Sequence, residues 1–166
     1  MKNIVLIGMP GCGKTTFGKR LARSLSLSFY DADEVLEQRE QRTIKNFFAE
    51  SEDAFRSAET RTLAYLSELE GVIIATGGGA VKRAENMELL KRKGVVVFID
   101  RKPEQILGNI EGDARPLLAA DKQRIFKLYE ERIDLYRKYA DKIITNSGDF
   151  GRTLAALEAY AKQAIE

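Results

Sequence analysis

Gly8-Met9-Pro10-Gly11-Cys12-Gly13-Lys14-Thr15 is the stretch that decides the fold. It spells a complete G-x-x-x-x-G-K-[ST] loop. The apolar run Ile4-Val5-Leu6-Ile7 precedes it, and a helical pattern at Phe17, Leu21 and Leu25 follows. A strand, a glycine-rich loop and a helix in that order form a phosphate cradle. Its glycines let backbone N–H groups turn inward. Lys14 is placed to reach β- and γ-phosphates, and the Thr15 hydroxyl to sit on Mg²⁺.

Working outward, further apolar runs read as strands: Val72–Ala75, Val95–Ile99, Ile143–Thr145 and the shorter Ser28–Tyr30. Unbroken apolar runs, rather than alternation, mark strands buried on both faces of a parallel sheet. Amphipathic stretches lie between them. Residues 54–69 carry Phe55, Ala58, Thr62, Tyr65, Leu66 and Leu69 at helical spacing. Residues 84–92, 103–109, 121–140 and 150–165 also read as helices, the last with Leu154, Leu157, Ala161, Ala164 and Ile165 on one face. The alternation predicts an α/β fold with helices on both sheet faces. The polar, glycine-containing stretch 108–116 breaks the rhythm and ends at Pro116, which predicts a connector or a mobile lid carrying Arg115.

The chain has 166 residues, so a single domain over 1–166 is expected, large enough to bury about 70% of its unfolded surface. Basic and acidic residues number 27 and 25, a net charge of +2 that gives no electrostatic case for nucleic acid or anionic membrane as a partner. With one cysteine, Cys12, an internal disulfide is impossible, and with no histidine, imidazole catalysis and His-based metal sites are excluded. No run has the length of a transmembrane helix, and the N-terminus enters a strand without a signal-like apolar segment, so a cytoplasmic protein is expected. The absence of an apolar heptad predicts a monomer.

Ligands of open α/β sheets bind beyond the carboxyl ends of the strands. Besides the loop, two polar clusters fall there. Asp31-Ala32-Asp33 follows Ser28–Tyr30. Its carboxylates suit a phosphate-bound cation and a substrate hydroxyl, and one of them suits a helix N-cap. Thr76-Gly77-Gly78-Gly79-Ala80 follows Val72–Ala75, and three glycines permit close backbone approach to a ligand. Arg56 and Arg137 both sit beside aromatic residues. A pair of guanidinium forks is what a small anionic substrate wants.

Together these segments resemble shikimate kinases. The resemblance rests on G-x-P-G-x-G-K-T, D-A-D, F-R-x-x-E, T-G-G-G-A, R-P-L-L and Y-R-x-x-A, in order from Ile4 to about Asn146. It implies a three-layer P-loop kinase fold of nucleoside-monophosphate-kinase type, with five parallel strands in the order 2-3-1-4-5. It also implies substrate-binding helices at about 31–62 and a lid at about 108–120. The implied reaction moves the γ-phosphoryl of ATP to the 3-hydroxyl of shikimate. By the same resemblance, Gly11, Cys12, Gly13, Lys14, Thr15 and Thr16 would hold the ATP phosphates. Thr15 and, through water, Asp31 would hold Mg²⁺. Asp33 would bind and help deprotonate the hydroxyl, Arg56 and Arg137 would grip the carboxylate, and the Gly78 backbone would touch the substrate. Glu59 would orient Arg56 or line the pocket, and Arg115 would close onto the phosphates. One departure stands out: residues 108–114 are acidic on balance, where family members carry basic residues, one of which packs on adenine. Related kinases of gluconate or nucleoside monophosphates, and a catalytically silent nucleotide-binding module, are the alternatives. The triglycine wall with Asp33, Arg56 and Arg137 argues against the former, and Lys14 against the latter.

Overall fold

The computed structural model of the chain describes residues 1–111 and 119–166. Its elements run β1 (Asn3–Ile7), α1 (Lys14–Leu25), β2 (Ser28–Asp31), α2 (Ala32–Glu40), α3 (Ile44–Glu50), α4 (Glu52–Ser67) and β3 (Val72–Ala75). A 3-10 turn (Ala80–Lys82) follows, then α5 (Ala84–Lys91), β4 (Gly94–Asp100), α6 (Pro103–Glu111), α7 (Ala119–Tyr139), β5 (Lys142–Thr145) and α8 (Phe150–Ala164). Among the described residues, no helix is long and apolar enough to cross a membrane.

The five strands form one parallel sheet in the order β2-β3-β1-β4-β5, as expected. The central strand β1 is buried at every position, between β3 (Ile4 opposite Ile73) and β4 (Ile4 opposite Val95). The chain winds to one side of β1 through β2 and β3, then crosses to β4. The crevice at that reversal is where such sheets bind ligands, and the phosphate loop leaves β1 directly into it.

Thr76 ends the β1–β3 ladder. Its N–H and its hydroxyl both donate to the Leu6 carbonyl, at 3.1 and 2.8 Å. With that acceptor taken twice, the backbone beyond it turns away from the sheet. At the opposite edge, buried Asn3 stitches β1 to the turn before β3. Its Nδ2 donates to Leu69 O at 2.7 Å, and its Oδ1 accepts from Val72 N–H at 3.0 Å.

Of the boundaries that differ from the sequence reading, two have an evident physical cause. α4 begins at Glu52 rather than residue 54, because the Ser51 hydroxyl accepts from Ala54 N–H at 2.9 Å and caps the first turn. α6 runs through Gly108 to Glu111, past residue 109 where the sequence reading ended it. A single glycine costs a helix only about 1 kcal/mol, and buried Ile106 and Leu107 anchor this one just before it.

Asn3→Leu leaves the Val72 N–H buried and the Leu69 carbonyl half-buried, both without their partner. It should cost about 2–4 kcal/mol in chemical denaturation, at about 1–3 kcal/mol for each orphaned group, with the native far-ultraviolet dichroism retained.

Candidate active site

The phosphate loop folds around its own lysine. Gly13 takes φ 107°, a left-handed conformation that lets α1 start with its first N–H groups facing the loop. The Lys14 ammonium donates to the carbonyls of Gly8 (2.6 Å) and Met9 (2.9 Å), and the side chain is buried in the concavity. Cys12 is fully buried with its Sγ 3.7 Å from that ammonium, a packing position rather than an exposed thiol.

The two aspartates divide their work. Asp31 Oδ1 caps α2, accepting from the N–H groups of Asp33 (2.9 Å) and Glu34 (3.3 Å). Asp31 Oδ2 accepts from the Thr15 hydroxyl at 3.0 Å. Asp33 is not needed as a cap and faces inward. Burial raises its carboxyl above the ordinary range, and the nearby Asp31 charge pushes the same way, while Lys14 and Arg56 pull it down.

Two chambers of about 480 and 450 Å³ adjoin at the strand ends. The first is lined by Gly11, Gly13, Lys14, Thr15, Thr16 and Asp31. The second is lined by Phe48, Phe55, Arg56, Glu59, Gly79 and Arg132 among others. Pro10, Asp33, Gly77 and Gly78 belong to both walls. The first chamber is a polar, glycine-floored seat beside a cation. The second joins stacked phenylalanines (Phe48 and Phe55, 4.5 Å between centroids) to guanidinium groups, a surface for a small ring bearing an anion.

Arg56 is held from behind. Its Nη1 lies 2.9 Å from Glu59 Oε1, and Glu59 is almost fully buried. Burial raises the Glu59 carboxyl even though Arg56 opposes the shift. The triglycine wall makes this packing possible. A Cβ on Gly79 would lie 2.7 Å from Arg56 Cζ and nearer still to both terminal nitrogens. A Cβ on Gly77 would press on Glu59 Oε2 (3.0 Å) and Asp33 Oδ1 (3.1 Å), and one on Gly78 would strike Pro10 Cδ at 2.6 Å. Within the protein, then, the missing methyl groups make room for the side chains of Arg56, Glu59, Asp33 and Pro10.

The expectation for Arg137 needs correction. Arg137 is exposed and lies outside the chamber wall, near enough to Tyr129 to act on its hydroxyl. Arg132 stands in the wall instead. The reason is helical phase. Tyr136 is the buried anchor of α7, stacked on Phe98 at 5.0 Å, and its hydroxyl donates to Gly78 O at 2.5 Å. Residues 128, 132 and 135 share its face, whereas 137 lies about 140° around the helix from 132. Arg132 is the i−4 neighbour of Tyr136, a spacing that points to the chamber only once the burial of Tyr136 is known. Arg115, and with it the middle of the expected lid, lies outside the described residues.

A third recess of about 220 Å³ lies behind the loop. It is lined by Cys12, Thr16, Arg101, Asn146 and Phe150 among others, with Asn146 Nδ2 donating to Cys12 O at 3.0 Å. A contact spanning 134 positions leaves no local trace in the sequence.

The shikimate kinase family model matches residues 10–159. The chain belongs to the shikimate kinase family. Shikimate kinase of Clostridium botulinum (strain Eklund 17B / Type B) is 44% identical over 159 residues, 95% of this chain and 96% of the relative. That of Clostridium beijerinckii is 44% identical over 167 residues, 100% of this chain and 99% of the relative. The solved shikimate kinase from Acinetobacter baumannii, in complex with shikimate, superimposes with a TM-score of 0.85 at 34% identity, covering 100% of this chain and 96% of that one. The one from Aquifex aeolicus does so with a TM-score of 0.78, also at 34% identity, covering 97% and 96%. The fold is the P-loop kinase fold of nucleoside-monophosphate-kinase type, and shikimate kinases use ATP as co-substrate.

Within this shikimate kinase frame, Asp33 is a charge held against its preference. A carboxyl raised above 3.8 favours the folded state fully only when protonated. That contribution is present below the unfolded value and is lost as pH rises through the raised folded value. Asp33→Asn should therefore melt a few degrees above the parent at pH 7, with the gap closing below about pH 4 in scanning calorimetry.

Proposed function

We infer that the chain catalyses transfer of the γ-phosphoryl group of ATP to the 3-hydroxyl of shikimate, yielding shikimate 3-phosphate and ADP, a step toward chorismate and the aromatic amino acids. The observation that carries this reading is the single wall, containing Asp33, shared by a phosphate chamber and an anion-binding chamber. Acceptor and donor placed on either side of Asp33 meet without water between them.

In this reading the N–H groups of Gly11 to Thr16 hold the phosphates. Lys14 exchanges its loop carbonyls for phosphate oxygens and neutralises the charge that develops on them. The hydroxyl oxygen attacks the γ-phosphorus, the bond from that phosphorus to the ADP oxygen breaks, and the hydroxyl proton passes to Asp33. Its raised affinity for a proton suits it to that task. Arg56, braced by Glu59, and Arg132 fork the shikimate carboxylate. The Gly78 backbone borders the ring, and Arg115 approaches the phosphates.

Thr15 Oγ1 and Asp31 Oδ2, 3.0 Å apart, are hard oxygen donors at the mouth of the phosphate chamber. They fit Mg²⁺, which takes one or two protein oxygens, waters and substrate phosphates. These two residues would hold the ion, Asp31 through water. When bound, Mg²⁺ would supply charge neutralisation for the transferring phosphoryl group. The reading keeps the protein a cytoplasmic monomer of one domain over 1–166.

A coupled assay of ADP release with shikimate as acceptor tests the function. Absence of turnover overturns it. In the same assay Arg132→Ala should raise the shikimate KM by about tenfold to a hundredfold, the worth of a charged hydrogen bond. Arg137→Ala should stay within about twofold of the parent, as an exposed charge does. The reverse pattern would return the carboxylate to Arg137. Gly79→Ala should fold normally but displace Arg56, raising the shikimate KM by about tenfold and leaving the ATP KM unchanged. An unaltered shikimate KM would show that Arg56 tolerates the methyl group.

A further inference from the structure

The anion chamber holds more charge than the proposed reaction uses. Arg56 presents two terminal nitrogens. Nη1 is committed to buried Glu59 at 2.9 Å. Nη2 lies 3.6 Å from Oε1 of Glu52, one turn earlier on α4. The same Oε1 accepts from Lys82 Nζ at 3.0 Å, across the chamber rim from the 3-10 turn. One carboxylate oxygen is thus shared by two cations, and the contact to Lys82 is the shorter.

The two carboxylates on Arg56 differ in kind. The Glu59 side chain is 3% exposed and immobilised, whereas that of Glu52 is 55% exposed and bounded by solvent. Glu52 stays ionised well into acid, because the Lys82 hydrogen bond and charge hold its carboxyl below the ordinary range. An exposed ion pair contributes little, so Glu52 moves off Arg56 at little cost. A substrate carboxylate that forks Arg56 uses Nη2 in either geometry, paired with Nη1 or with Nε. Two carboxylates at one nitrogen repel each other, so Glu52 and the substrate exclude one another there.

We propose that Glu52 is a built-in competitor for the substrate-binding edge of Arg56, and that Lys82 is the cation that draws it aside when substrate enters. This deepens the shikimate kinase reading and rests on it. Glu52 occupies Arg56 against passing small anions, and only a ligand that also fills the ring surface and engages Arg132 displaces it. Lys82 touches no substrate. It acts through Glu52 as a positioning residue.

A double-mutant cycle tests this. Without Lys82, Glu52 has only Arg56 to bind, so Lys82→Ala should raise the shikimate KM about threefold to tenfold while kcat and the ATP KM hold. Glu52→Gln should leave the shikimate KM at or below the parent value and make acetate a stronger competitive inhibitor. The double variant should behave like Glu52→Gln alone. If it keeps the Lys82→Ala defect, Lys82 binds substrate directly and the proposal fails. If Glu52→Gln raises the shikimate KM, Glu52 supports binding and the proposal fails.

Phenylglyoxal labelling of Arg56, mapped by peptide mass spectrometry without substrate, separates this from the function itself. Labelling should quicken in Glu52→Gln and in the double variant, and slow in Lys82→Ala. Equal rates in all four proteins overturn the competitor whatever the enzyme phosphorylates. No turnover of shikimate by the parent overturns the reaction alone.

Discussion

Three successive residues without a Cβ, Gly77 to Gly79, set how closely the parts of this site approach one another. Each lies against a different working group: the Asp33 and Glu59 carboxylates, the Pro10 ring of the phosphate loop, and the Arg56 guanidinium. Interiors are packed so tightly that one methyl group must displace something. Here the neighbours are the side chains proposed to hold and activate the substrate. The Gly78 carbonyl also receives the Tyr136 hydroxyl, so α7 is positioned from the same short segment. Loop, acid, cation and helix are therefore spaced by one piece of backbone.

The charges in the site form a graded series. Lys14 is satisfied by carbonyls of its own loop and Asp31 by N–H groups and a hydroxyl, whereas Glu59 meets Arg56 through Oε1 only, its Oε2 being buried with no hydrogen-bond partner among the described residues. Asp33 has no such neutralising contact as close among the described residues, and burial raises its carboxyl. Perturbed acids of this sort gather where chemistry is done, because a group that resists ionisation takes up a proton readily. The stability sacrificed at Asp33 is the counterpart of its proposed part in the reaction.

Much of this was legible in sequence because the strands are buried on both faces and the loop motif fixes its own surroundings. β3 lies at Val72–Ala75 as read, and the order of strands followed from the family resemblance. The arginine of α7 was misassigned because Arg132 and Arg137 both sit near aromatic residues. Only the burial of Tyr136, which fixes the phase of the helix, tells them apart. Asn146 and Arg101 carry no local pattern, since their partners come from distant strand ends. The Glu52–Lys82 contact joins residues 30 positions apart and was equally invisible.

The depth of Tyr136 has a mechanical corollary. It is a fulcrum near one end of a long rod. Ala119 is 17 residues away along α7, about 25 Å at 1.5 Å per residue, whereas Arg132 is only about 6 Å away. Tilting the rod by about 5° about that point swings its start by about 2 Å and shifts Arg132 by about half an ångström, on the same helical geometry. The leverage is roughly fourfold, so the far end of the helix moves through about 2 Å while the guanidinium beside the fulcrum stays almost still.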